Sequence, residues 1–414
     1  MSLIRPFRGL RPKQNDAADV IAPPYDVLNT EEARLRATGR PRSFLHISKP
    51  EIDLPADTNP YAAQVYALGA KNFQRLINEG VLIRENKPCY YAYRLIMGSH
   101  QQTGLVAVAS VADYNSNRIR KHEFTRPDKE DDRVRQIDAL NAQTGPVFLT
   151  YRRNPTVDQI IHAVCGKHPE YDLTADDGVQ HTFWVIDDAS HIDTLTTTFD
   201  AMTCLYIADG HHRSAAAARV AALRQGQGKA DPNAAYNYFL AVIFPDNQMQ
   251  ILDYNRVLRD LNGLGTEEFK QRVAQAFTIT AQAAAAKPQQ SGEFAMYLSG
   301  QWYRLQIKPE LIPQQDPVGR LDVSLLQNNL IAPILGITDP RRDKRIDFVG
   351  GIRGLPELER RVNSGEMKVA FALYPTQLAD LMAVADANEV MPPKSTWFEP
   401  KLADGLVSHL LDFK

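Results

Sequence analysis

Five consecutive residues, Asp209-Gly210-His211-His212-Arg213, followed by Ser214 and a run of alanines, have the strongest claim to chemistry. Ahead of them Cys204-Leu205-Tyr206-Ile207-Ala208 reads as a short buried strand and 214–225 as a helix, so the five occupy a strand-to-helix turn. A helix N-terminus carries unpaired N–H groups and partial positive charge, and so disfavours nearby cations. Two histidines and an arginine there break that rule unless an anion is bound, in which case backbone N–H groups, His212, Arg213 and Ser214 can hold a phosphate together. Gly210 lets the backbone approach a ligand and tolerates unusual φ. Asp209 could cap the helix, orient His211 for proton transfer, or hold Mg²⁺ against the phosphate. The plain alternative is that Asp209 is only an N-cap and the basic residues face solvent. A metal pair made of His211 and His212 is disfavoured, because adjacent helical residues diverge by about 100°.

Lys121-His122-Glu123-Phe124-Thr125-Arg126 gathers a base, an acid and cations ahead of a helix predicted over 127–142. A kinase acting on a hydroxyl needs a carboxylate to take the proton and cations to offset phosphate charge, roles open to Glu123 and Lys121; the alternative is a solvated loop. Where that helix ends, Asn141, Gln143 and Thr144 either satisfy its last carbonyls or bind a substrate carboxylate or amine. Pro23-Pro24-Tyr25-Asp26 is a rigid turn whose Tyr25 and Asp26 are candidates to line a pocket. Lys394, in Pro393-Lys394-Ser395-Thr396, is a candidate phosphate or nucleotide contact. Gly350-Gly351-Ile352-Arg353-Gly354 follows a strand, but it completes neither phosphate-loop pattern.

The elements expected to position these residues alternate between strand and helix. A helix spans 61–80, a hairpin 89–114, a strand 146–152, a helix 155–166, a strand 180–186, and a second hairpin 236–254 around Pro245-Asp246-Asn247. Beyond it come a helix 266–276, a hairpin 293–308, helices 321–335, 355–363 and 376–386, and strands 345–349 and 367–374. The first sixty residues, rich in proline, read as an extended arm over a core. The expected fold is therefore mixed α/β (α+β), mixed sheets with flanking helices, in three regions: 1–125, 126–260 with the Asp209–Arg213 turn, and a C-terminal α/β domain 261–414.

With 414 residues, 44% hydrophobic and 23% charged, the chain has enough apolar material for independent cores. A formal net charge of −2 supplies no global basic field, which argues against nucleic acid as a partner. Cys89, Cys165 and Cys204 form no C-x-x-C pair and suggest reduced thiols. The first residues resemble neither a signal nor a transit peptide, and no apolar run approaches ~18 residues, so a cytoplasmic protein without membrane association is expected. Oligomerisation is left open.

The Asp-Gly-His-His-Arg-Ser-Ala-Ala-Ala stretch resembles the phosphate-binding turn of the ParB/sulfiredoxin superfamily, whose Gly-x-x-Arg core Gly210 and Arg213 match. In its Asp-Gly-His-His-Arg form it is similar to the free-serine kinases, whereas sulfiredoxin chemistry needs a cysteine where this chain has histidine. Over nearly its whole length the chain also resembles the conserved domain of unknown function ten-fifteen, through Ile4-Arg5-Pro6-Phe7, 22–27, Lys121-His122-Glu123, 140–146 and Asp209 to Arg213. These resemblances imply a ParB/sulfiredoxin-like core and a phosphotransferase acting on a small hydroxyl amino acid such as L-serine. Mg²⁺ and a nucleotide or pyrophosphate donor would serve it, with Asp209 on the metal. A ParB-type nucleotide-binding switch and a phosphoserine-type phosphatase are the competing readings; no basic helix-turn-helix supports the first.

Overall fold

A computed structural model describes residues 2–227 and 231–411. The chain divides into two compact units, Met1–Met249 with Pro400–Lys414, and Gln250–Glu399.

In the first unit, runs rich in aromatic and β-branched residues form a nine-stranded mixed sheet. Its strands are β1 (Ile4–Arg5), β2 (Tyr90–Met97), β3 (His100–Ser110), β4 (Ile119–Arg120), β5 (Val147–Tyr151), β6 (Tyr171–Thr174), β7 (Gln180–Ile186), β8 (Leu205–Asp209) and β9 (Tyr238–Pro245). They lie in the order β4-β8-β5-β9-β3-β2-β7-β6, with β1 also paired to β3. The β4–β8 and β5–β9 pairs are parallel and the rest antiparallel. Central strands are buried throughout, which is why β9 reads as a continuous apolar run and not as an alternating one.

The helices of this unit include α1 (Ala63–Asn78), α2 (Pro127–Leu140), α3 (Pro155–Cys165), α4 (Ala189–Asp200) and α5 (His211–Gln227). Val157 of α3, Leu195 and Phe199 of α4, and Ala217 and Ala221 of α5 share one core with Leu105, Leu149, Ile207 and Ile243 of the sheet. The alanine run of α5 is thus a packing surface that lets the helix approach β-strands closely. Elsewhere in the unit Phe183 stacks between Tyr91 and Tyr171, with ring centroids 5.2 and 5.6 Å away. Helix α2 begins with Pro127 at its first position and stops at Asn141, whose φ of 50° is left-handed.

Several expectations are corrected. The first sixty residues are not simply an extended arm: Asn29 closes a capping box on the helix Thr30–Ala37, and Phe44, Leu45 and Ile47 form a second core with Phe73 and Leu76 of α1. The 236–254 hairpin does not form. Both edges of β9 are filled by β3 and β5, so Gln250–Leu252 pairs with Trp397–Glu399 instead. The suggested boundary at 125–126 lies between strands of one sheet, and the boundary near 260 lies at 249–250, with the chain returning to the first unit at Pro400.

The second unit holds an antiparallel sheet of six strands, β10 (Tyr254–Leu258), β11 (Phe277–Gln282), β12 (Glu293–Leu298), β13 (Gln301–Ile307), β14 (Ile346–Gly350) and β15 (Val369–Leu373), ordered β11-β13-β12-β15-β10-β14. Leu355 and Leu358 of the helix Gly354–Asn363 fill its core. The 321–335 helix is interrupted by a π turn at Gln327–Ile331, just before Pro333, which has no N–H to donate. The Gly350–Gly351 pair is a packing device: a Cβ on Gly350 would stand 2.8 Å from the Trp397 ring, and one on Gly351 2.5 Å from Asp253 Oδ1. Mixed α/β is the architecture of the chain.

Candidate functional site

Strand β8, held between β4 and β5, ends at Asp209, where the register against β5 slips between Ile207 and Asp209. Gly210 then turns with φ of 94°, and α5 starts at His211. A Cβ on Gly210 would stand 3.3 Å from Val147 Cα in a backbone conformation that L side chains avoid. Gly210→Ala is therefore expected to cost about 1–3 kcal/mol in a urea titration, and wild-type stability would show that the turn is not strained. The helix begins three residues before the expected 214, placing His211, His212 and Arg213 in its first turn.

Asp209 Oδ1 accepts the Gly210 N–H at 2.7 Å, and Oδ2 faces Lys401 Nζ at 3.1 Å. Burial pushes this carboxyl up, but Lys401 and Arg213 overcome it and hold the group well below the usual carboxylate range. These surroundings do not fit a Mg²⁺ ion, which asks for an octahedral oxygen shell, because an ammonium already occupies the outer oxygen.

Arg213 is mostly committed. Its guanidinium donates to Pro146 O at 2.8 Å and to Asp26 Oδ2 at 2.9 Å, and it lies 5.3 Å from the Tyr25 ring centroid. Arg133 stacks on the same ring at 3.8 Å while chelating Asp132 at 3.0 and 2.7 Å. Asp404 sits nearby with 1% exposure; burial pushes its carboxyl up to about 7 against the pull of Arg213, with Asp26 adding to the rise. Tyr25, Arg133, Thr144, Gly145, Arg213 and Asp404 are among the residues lining a cavity of about 40 Å³.

The other centre is His211. Its Nε2 accepts the His122 backbone N–H at 3.4 Å, so the neutral ring carries its proton on Nδ1, which faces Glu123 Oε2 at 3.6 Å. The His122 ring meets it edge-on at 4.5 Å. Burial holds His211 well below its ordinary value and His122 down at about 4, so both imidazoles are neutral near pH 7. Glu123 is about half exposed and can meet a solute. Ligand atoms of His122, Glu123 and His211 lie within 4.8 Å of one another. That nitrogen-rich set suits a transition metal better than Mg²⁺, but the Nδ1 proton directed at Glu123 favours proton transfer over ligation.

Burial of imidazoles carries a pH consequence. Burial likewise depresses His181 and His409 to about 4. The unfolded chain takes up these protons below about pH 6.5 while the folded chain resists until near 4, so stability present above 6.5 is lost as pH falls through that window. Asp404, raised to about 7, Asp322, raised to about 6, and His46, raised by its bond to Asp53, act oppositely, favouring the fold at lower pH, but five lowered imidazoles, His212 among them, outnumber these three. The urea midpoint is expected to fall steadily from pH 6.5 to 4.5, and a flat profile would contradict these burials.

The remaining expected residues are placed as follows. His212 Nε2 accepts the Arg126 N–H at 3.1 Å. Ser214 Oγ donates to His211 O at 3.0 Å within its own helix, and the residue is fully buried. Lys121 Nζ lies 4.1 Å over the Tyr114 ring, and burial lowers its pKa. Asn141 caps α2 and accepts from Arg224 at 2.7 Å, a helix-ending role. Lys394 belongs to the second unit, 5.5 Å over Tyr254. Sequence reasoning missed Arg133, Lys401 and Asp404. Lys401 lies 192 positions from its partner Asp209, and nothing local marks it.

Residues 4–324 match the family described as Protein of unknown function (DUF1015). The chain belongs to this family. No curated protein matches it. Among solved structures, a free serine kinase mutant in complex with AMP is similar at 12% identity, covering 73% of this chain and 92% of that one, with a TM-score of 0.36. A conserved hypothetical protein from Pyrococcus furiosus shares 14% over 72% of this chain and 93% of its own, with a TM-score of 0.35. SbnI with a C-terminal truncation, from Staphylococcus aureus, shares 11% over 72% and 85%, with a TM-score of 0.38. Among the described residues no helix is long and apolar enough to cross a membrane.

Proposed function

We propose that the chain is a phosphotransferase that moves a terminal phosphoryl group from a nucleotide or pyrophosphate to the hydroxyl of a small amino acid. The observation that carries this reading is the His211–Glu123 pair at the first turn of α5: a neutral imidazole presents its Nδ1 proton to a half-exposed carboxylate, 3.6 Å away, beside a helix N-terminus. The N–H groups of that first turn and the positive-φ Gly210 offer the anion cradle. Glu123, oriented by His211, accepts the hydroxyl proton as the oxygen attacks phosphorus, and the bridging P–O bond breaks with its electron pair leaving on the donor. Asp209, neutralised by Lys401, supports the turn; a Mg²⁺ ion carried by the donor phosphates, and not held by Asp209, would offset their charge.

The test is phosphorus NMR of the full chain with Mg²⁺, L-serine and, separately, ATP, ADP and pyrophosphate. Appearance of O-phosphoserine with one of them is expected. Absence of product with all three overturns the reading, and net hydrolysis of added O-phosphoserine would replace it with a phosphatase.

A further inference from the structure

Two buried polar atoms in the first unit point at the same small space. Arg213 Nε and Asp404 Oδ1 are both inaccessible to solvent and have no hydrogen-bond partner among the described residues. The space between them exists because position 145 is glycine: a Cβ there would stand 3.4 Å from Asp404 Oδ1 and 3.6 Å from Arg213 Nε. The φ of Gly145 is not in the left-handed region, so its missing side chain opens room and does not relieve the backbone. Both residues line the cavity of about 40 Å³ already described, with Tyr25, Arg133 and Thr144.

A guanidinium N–H seeks an acceptor and a carboxylate oxygen seeks a donor, and native proteins seldom bury both unpaired on facing sides of one hole. We propose that this cavity binds the zwitterionic end of a free α-amino acid, its carboxylate accepting from Arg213 Nε–H and its ammonium donating to Asp404 Oδ1. Arg133, stacked on Tyr25 and paired with Asp132, lines the same cavity. A phosphate dianion would offer Asp404 Oδ1 no donor, and a bare cation would meet two guanidinium groups, so a ligand carrying both an acceptor and a donor end is the one that fits. So small a space favours the side chains of glycine, alanine or serine over larger ones. Arg213 is then a binding residue for the acceptor and not a grip on phosphate, which accounts for its ties to Asp26 and Pro146. The inference rests on the amino-acid half of the function proposed above and not on phosphoryl transfer.

Calorimetry with the full chain and no phosphate donor tests it. L-serine, L-alanine or glycine should bind saturably, whereas N-acetyl-L-serine, which lacks the ammonium, and ethanolamine, which lacks the carboxylate, should bind at least tenfold more weakly. Gly145→Ala fills the space and should abolish binding with the fold intact by circular dichroism; Asp404→Asn should weaken it at least tenfold. No binding of any of the three amino acids, undiminished binding of N-acetyl-L-serine, or binding unchanged in Gly145→Ala would overturn the proposal. Binding that persists while no donor yields product would sink the phosphotransferase reading and leave the cavity assignment standing, whereas product formation unaffected by Gly145→Ala would do the reverse.

Discussion

Glu123→Gln is expected to lower turnover by about 10²- to 10⁴-fold while leaving donor and acceptor affinities nearly unchanged. The substitution keeps the shape of the side chain and its reach to His211 Nδ1, but an amide cannot accept the hydroxyl proton. Because Glu123 is about half exposed, its loss removes little packing, so the melting temperature should stay close to wild type. Steady-state kinetics with the productive donor, run beside calorimetric binding of each substrate, separates the outcomes. Full turnover in Glu123→Gln would remove Glu123 as the base, and a fall in affinity with constant turnover would make it a binding group. His211→Gln, whose amide stands near the Nε2 position and leaves nothing at Nδ1 opposite Glu123, should give a smaller loss, since His211 acts by orienting the carboxylate.

Arg213→Ala is expected to destabilise the protein by about 2–4 kcal/mol, through loss of several bonds at once. Pro146 O would lose its donor and Asp26 its partner. Asp209 and Asp404, both of which count Arg213 among the cations holding their carboxyls down, would shift upward, Asp404 beyond its present value of about 7. Lysine should recover only part of the loss, since a single ammonium cannot replace a planar fork that serves two acceptors on different segments. Urea unfolding at neutral pH reads the difference, and an Arg213→Ala protein of wild-type stability would show that the arginine is present for a ligand alone.

Much of the scaffold was legible in local pattern. The helix over 127–142 announced itself by Pro127 near its first position and the acidic residues of its first turn; the observed span is Pro127–Leu140, and its end at a left-handed Asn141 appeared only in the structure. The strand 180–186 is found at Gln180–Ile186, where the apolar run is bounded by polar turns. The 236–254 hairpin failed because local turn chemistry says nothing about whether a strand edge is already occupied.

By itself the sequence determined that a strand, a glycine turn and a small-residue helix would set Asp209 to Arg213 at one helix N-terminus, since capping, φ preference and apolar period are properties of contiguous residues. It also marked Glu123 as a carboxylate set among cations. Only the tertiary structure decided that Lys401 neutralises Asp209, that His211 presents Nδ1 to Glu123, and that Arg213 and Asp404 leave facing atoms unpaired over Gly145. Those arrangements join segments distant in sequence, Asp209 and Lys401 by 192 positions, and the energies that select them, desolvation of charge and closure of hydrogen bonds, exist only once the sheet has brought the segments together.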